Sequence, residues 1–141
     1  MHIQQRERLL AAEDKAVNDG FQAYNLEQGQ SSDRIPVALA VTGEAGQLLG
    51  ALDGYIFFDY LTVSRLWVDP TVRGTGVGKA LMEKAESFAR ESGCVGSTLS
   101  TYDFQARPFY EKLGYAVFGL LPNNPRGRER FFMMKPLTEK G

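Results

Sequence analysis

The chain has 141 residues, 43% of them hydrophobic and 23% charged. That length suits one domain, and the apolar share supplies a core, so disorder is excluded as the main state. Sixteen Lys and Arg against seventeen Asp and Glu give a net charge of -1, which offers no general attraction for nucleic acid or an anionic membrane.

In chain order, a short strand is expected around Ile3. Leu9, Leu10, Ala12, Ala16, Val17, Phe21 and Tyr24 then recur near the 3.6-residue period and predict a helix interrupted at Gly20. Residues 28–33 read as a loop. Strands are expected at 37–41, 48–58 and 60–68, and Pro70 ends the third because proline cannot donate to a ladder. Residues 76–90 read as an amphipathic helix. Val77, Ala80, Leu81, Phe88 and Ala89 fall on its apolar face, with Met82 and Ala85 at the margins. Lys79, Glu83, Lys84, Glu86 and Arg90 lie opposite, with Glu86 and Arg90 spaced as an i,i+4 pair, and Gly93 is a C-terminal stop. A strand at 95–100 and a short helix at 105–112 follow, the helix capped by Asp103 with Pro108 in its first turn. Strands at 115–121 and 130–137 complete the order. It predicts an α/β (α+β) fold, a single domain over residues 1–141 built on one mixed sheet.

One cysteine, Cys94, excludes an internal disulfide and reads as a small buried hydrophobe. With a single His, His2, no structural zinc site and no metal is expected. No apolar run approaches the roughly 20 residues of a membrane helix. The start of the chain lacks the basic-then-apolar form of a signal peptide, so a cytoplasmic protein with no membrane partner is expected.

Residues 68–79 carry the densest chemistry: a strand ends, a glycine loop follows and a helix begins. The first N–H groups of such a helix lack internal partners and form an anion site, with Arg73 and Lys79 adding positive charge. A Walker A loop fails here, with Arg73 in place of its first glycine and Ala80 in place of Ser/Thr. The dinucleotide fingerprint fails too, placing Lys79 or Leu81 at its third glycine. Arg73-x-x-Gly76-x-Gly78 resembles the Arg/Gln-x-x-Gly-x-Gly/Ala pyrophosphate loop of the GNAT superfamily of acyl-CoA-dependent N-acetyltransferases. Some thirty residues on, Ala106-Arg107-Pro108-Phe109-Tyr110-Glu111-Lys112-Leu113-Gly114-Tyr115 resembles that family's Ala-x-x-Phe-Tyr-Glu-Lys-x-Gly-Phe/Tyr segment. The two motifs stand in the family's order and separation, and the resemblance extends over nearly the whole chain.

The resemblance implies one strongly twisted mixed sheet of six to seven strands with helices on both faces. Two central strands splay apart, and the pantetheine arm of acetyl-CoA lies in the V. Backbone groups of Leu66, Trp67 and Val68 pair with the pantetheine. N–H groups of Arg73, Gly74, Thr75, Gly76, Val77, Gly78 and Lys79 hold the pyrophosphate.

The implied reaction is direct acetyl transfer from acetyl-CoA to an amine. Tyr110 protonates the departing thiolate, a role suited to a phenol with an ordinary pKa near 10. Phe109 and Tyr115 read as core packing. A backbone N–H near Trp67 or Val68 holds the oxyanion. Residues 60–66 contain no carboxylate, so Asp53, Asp59, Glu111 or a water chain is left to take the amine's proton. Many family members carry Asn where this chain has Asp103, which reads here as a helix cap, with a cofactor contact left open. Arg126, Arg128 and Arg130 are expected to attract an acidic group on the acceptor. That acceptor is a small-molecule or peptide amine, not nucleic acid. A homodimer through an exposed strand such as 131–134 stays open. The competing reading is a non-catalytic acyl-CoA-binding sensor or scaffold, which would keep the Arg73 loop and need no Tyr110 acid.

Overall fold

The computed structural model describes residues 1–138. They form two compact units, residues 1–33 and the residues from Arg34 on.

The first unit holds one helix, α1 (Ala11–Glu27). The strand expected around Ile3 does not form. Arg6 instead folds back on the helix start and donates to both oxygens of Glu13, at 2.5 and 2.8 Å. Glu13 also accepts from the Leu10 N–H at 2.8 Å, which satisfies one of the free donors of the first turn. The Arg6 contact, followed by that N–H, holds the Glu13 carboxyl down to about 2.

The second unit is a six-stranded mixed sheet. Its strands are β1 (Ile35–Thr42), β2 (Leu48–Phe57), β3 (Tyr60–Val68), β4 (Gly96–Tyr102), β5 (Ala116–Pro122) and β6 (Glu129–Pro136). The spatial order is β1-β2-β3-β4-β6-β5. Every neighbouring pair is antiparallel except β3 and β4. That parallel pair is joined by α2 (Val77–Glu91), and β4 leads through α3 (Arg107–Lys112) to β5. Pro108 sits in the first turn of α3, where a missing N–H costs nothing.

The core lies between α2 and the sheet. Leu81, Met82, Ala85 and Ala89 of α2 meet Leu52, Leu61, Val63, Leu99 and Met133. At Gly50 a Cβ would stand 2.7 Å from Val77, so this glycine lets α2 approach β2. Cys94 is 1% exposed, as expected of a small buried hydrophobe, and burial pushes its thiol pKa up. Folded protein should therefore react with a thiol reagent far more slowly than denatured protein, and a rapid stoichiometric reaction without unfolding would contradict this burial.

Two expectations are corrected here. Met82 and Ala85 are fully buried rather than marginal, and Phe88 is exposed. The apolar stripe is thus rotated, and Glu86, expected on the solvated face beside Arg90, is 2% exposed. It pairs with Lys135 at 2.6 Å, while Arg90 donates to the Leu137 carbonyl at 3.2 Å. The helical period locates a stripe, but a cation from β6 decides where a carboxylate is stable. Residues 131–134 are also no free strand. β6 is flanked by β4 and β5, and Phe131 and Met133 are buried.

Candidate functional site

The site begins where the parallel pair comes apart. β3 and β4 pair only at Tyr60–Gly96, Leu61–Ser97 and Thr62–Thr98. β2 pairs Asp53 with Arg65 and Gly54 with Val63, which leaves Ser64 as an extra residue in β3. Such a bulge bends its strand and increases the local twist, and β3 leaves β4 just there. The opposite wall stays straight, because β4 remains paired to β6 through Tyr102–Arg130. From Val63 to Val68 the edge of β3 toward β4 has no strand partner.

The gap is a cavity of about 680 Å³, in the size range of small-molecule sites. Leu66, Trp67 and Val68 form one wall. Val72, Arg73, Gly74, Gly76, Val77, Gly78 and Lys79 form one end, and Thr101, Gln105, Ala106, Phe109 and Tyr110 line the rest. Of the residues expected to hold a cofactor, only Thr75 is outside the lining. Its hydroxyl turns back to the Val72 carbonyl at 2.5 Å. Val72, Thr101, Gln105, Ala106 and Phe109 were not expected. Ala106 and Phe109 lay inside a quoted motif, but nothing in the local pattern marks Thr101 or Gln105 as facing this gap.

The loop is built to leave donors free. Asp69 accepts from the N–H of Thr71 at 3.0 Å and from its hydroxyl, which together hold the Asp69 carboxyl below its ordinary pKa. Arg73 Nε donates to the Val68 carbonyl at 3.1 Å, tying the loop to the end of β3. Gly74 and Gly76 have φ of +79° and +96°, which favour glycine, and open space stands where each Cβ would be. Gly76 caps α2 without any side chain. Among the described residues no backbone acceptor meets the N–H groups of Gly78 and Lys79. They stand at the positive end of the helix dipole. At Gly78 a Cβ would press on Phe109 and Val68 at 3.2 and 3.4 Å, so this glycine keeps α2, α3 and β3 close together. A bulky anion can approach this backbone, and Arg73 and Lys79 add charge beside it.

Tyr110 is buried, with 9% of its surface exposed, and burial pushes its pKa up. Its ring meets Phe109 edge-on at 5.2 Å and Tyr115 at 6.0 Å. Its hydroxyl has no hydrogen-bond partner among the described residues. Tyr110 thus lines the cavity as a buried tyrosine without an internal polar partner.

None of the three carboxylates considered as a base lines this cavity. Asp53 is held by Arg65 through contacts of 2.5, 3.0 and 3.1 Å, which keep its pKa low and make it a weak base. Asp59 lies in the β2–β3 turn beside the closed end of the pair, where its carbonyl accepts from Val95. Glu111 pairs with Arg107 on α3.

Asp103 is not the cap of α3. That position is Ala106, without a side-chain hydrogen bond. Asp103 instead accepts from the Glu129 N–H at 3.1 Å and pairs with Arg128 at 3.7 Å, joining the end of β4 to the start of β6. Two of the three arginines of the expected cluster have partners within the protein. Arg128 lies over Phe104, and Arg130 donates twice to Ser100 Oγ, at 2.9 and 2.8 Å, between the rings of Tyr102 and Phe132. No metal-binding group of three or more His, Cys, Asp or Glu occurs among the described residues, and no helix among them is long and apolar enough to cross a membrane.

Residues 3–115 match the sequence model of the acetyltransferase (GNAT) family. Over 96 residues the chain is 43% identical to the blasticidin-S acetyltransferase of Streptomyces morookaense, covering 67% of this chain and 71% of that protein. Over 111 residues it is 32% identical to acetyltransferase Atu2258 of Agrobacterium fabrum, covering 79% and 81%. A crystal structure of an acetyltransferase from Bacillus cereus aligns with a TM-score of 0.81 at 30% identity, covering 96% of this chain and 99% of that one.

Proposed function

This chain belongs to the acetyltransferase (GNAT) family and is an acetyl-CoA-dependent acetyltransferase, and from that premise we propose that it acetylates the primary amine of a small molecule, with Tyr110 as general acid. The observation that carries this reading is the partnerless β3 edge, bounded by the bare start of α2 at one end and by the phenol of Tyr110 in the same cavity.

The unpaired backbone of Leu66, Trp67 and Val68 suits the amides of the pantetheine arm, which complete the edge as an added strand would. The free N–H groups at Gly78 and Lys79, with Arg73, suit the pyrophosphate. The amine nitrogen attacks the thioester carbon, an N–C bond forms and the C–S bond breaks. Tyr110 gives its phenolic proton to the departing sulfur, which leaves CoA as the thiol. The amine's proton passes to water, since none of the carboxylates considered for that task lines the cavity, and the Tyr110 phenolate regains its proton from that water. A small-molecule acceptor is supported by the relative named for blasticidin S.

Isothermal titration tests the cofactor half. Acetyl-CoA is expected to bind at micromolar concentration and ATP not at all. Removing the guanidinium and the left-handed glycine together, Arg73→Ala with Gly76→Val, is expected to weaken acetyl-CoA by roughly ten- to a hundredfold, the value of one or two charge-assisted contacts. Unchanged affinity in that variant would remove the loop from the site. An amine panel containing blasticidin S, read as CoA release from acetyl-CoA, tests the catalytic half. Tight acetyl-CoA binding with no CoA release to any amine or to water would favour a sensor instead.

A further inference from the structure

The phenol of Tyr110 has no hydrogen-bond partner among the described residues, so no polar contact sets its direction. Packing must do so, and two rings touch it. Phe109 is its neighbour in sequence and only partly buried. Tyr115 is buried and meets the Tyr110 ring edge-on at 71°. The Tyr115 N–H also donates to the Tyr110 carbonyl at 3.1 Å, closing the end of α3.

Tyr115 is itself pinned. Its hydroxyl donates to Glu86 Oε2 at 2.9 Å and shares a 2.7 Å hydrogen bond with Ser97 Oγ. The other Glu86 oxygen accepts from Lys135 Nζ at 2.6 Å, and the stem of Lys135 runs beneath Gly114. Four elements meet at this buried cluster: α2 through Glu86, β4 through Ser97, β6 through Lys135 and the end of α3 through Tyr115. A phenylalanine would fill the same core volume, so packing alone does not call for a hydroxyl here. Nor does it call for a buried carboxylate, which is costly to bury unless paired.

We infer that Tyr115 is a positioning residue for the acetyl transfer, its hydroxyl locked to Glu86 and Ser97 so that its ring fixes the direction of the Tyr110 phenol. This rests on the reading of Tyr110 as the acid. A phenol displaced by a fraction of an ångström still binds nothing differently, but it delivers its proton off line, and the loss falls on turnover.

The test uses the full chain and reads CoA release from acetyl-CoA, with blasticidin S or water as acceptor. Tyr115→Phe is expected to lower kcat about tenfold while KM for acetyl-CoA stays within twofold. Glu86→Gln, which keeps an acceptor for the Tyr115 hydroxyl, is expected to hold kcat near the wild-type value. In a Tyr110→Phe background the further change Tyr115→Phe is expected to cost nothing, because the two act through one phenol. In protein labelled with tyrosine carrying 13C at Cζ, the Tyr110 line, identified by its loss in Tyr110→Phe, should be sharp in the wild type and in Glu86→Gln. It should be broadened in Tyr115→Phe. Unchanged turnover with a sharp line in Tyr115→Phe overturns the inference, as does an equal tenfold loss in the Tyr110→Phe background. Wild-type turnover in Tyr110→Phe alone instead overturns the acid role, and the carbon line then decides by itself whether Tyr115 holds the Tyr110 ring.

Discussion

Replacing Tyr110 by phenylalanine is expected to lower kcat by about 10²- to 10⁴-fold, the usual worth of a positioned general acid, with acetyl-CoA affinity within twofold of wild type. The substitution removes one oxygen from a ring that makes no hydrogen bond to the protein, so no polar group is orphaned and the packing against Phe109 and Tyr115 is kept. A structural defect is therefore not expected, and a loss confined to kcat identifies a group that acts only in the transition state. The pH profile supplies a second reading. Burial raises the Tyr110 pKa, so its acid form persists above the ordinary tyrosine value near 10. Acid-dependent turnover should stay flat through neutral pH and fall only at pH above about 10, where the phenol loses its proton. A kcat within twofold of wild type in Tyr110→Phe, measured with saturating amine, would end the assignment.

Gly54→Ala is expected to destabilise the chain by roughly 3 kcal/mol or more, at the high end for a single substitution. A Cβ at this position would stand 2.0 Å from the Thr62 carbonyl oxygen and 3.0 Å from its carbon. Both are backbone atoms, and no side chain can swing away. Thr62 is also the last residue of β3 paired to β4, and the bulged Ser64 lies two residues on. Relief of the clash must move the strand at the point where the cavity opens. Urea denaturation of the variant would measure the loss, and acetyl-CoA titration under native conditions would show whether the splayed geometry survives. A loss below about 1 kcal/mol would mean that β2 and β3 are not held this closely. The contrast is Gly74, where open space surrounds the site of a Cβ and only the left-handed backbone opposes alanine.

Much of this was legible without coordinates because it is written locally. The glycines after β3 announce a tight loop and a bare helix start, and the structure has both, with Gly74 and Gly76 at positive φ and Gly78 in the first turn of α2. Alternating and β-branched runs marked each strand to within a few residues, and Pro108 fell in the first turn of α3 as its missing N–H requires. The strand expected at Ile3 does not form; the segment there pairs Arg6 with Glu13, which also accepts from the Leu10 N–H at the helix start. Asp103 had the chemistry of a helix cap but met the Glu129 N–H and Arg128, 26 and 25 residues away. The arginines at 128 and 130 looked like free charge until Asp103, Ser100 and the aromatic rings beside them were in place.

By itself the sequence determined the order of elements, the glycine loop at the start of α2 and the two motifs that mark the family, since each depends on residues a few positions apart. Tertiary structure alone decided that β3 leaves β4 after Thr62, that Thr101 and Gln105 face the same gap as Trp67, and that Glu86 is buried with Lys135 and Tyr115. The physical reason is one of range. Backbone preference and periodicity act over a turn or a strand, whereas the stability of a buried charge and the opening between two strands depend on groups 29 to 49 residues apart, brought together only by the closed fold.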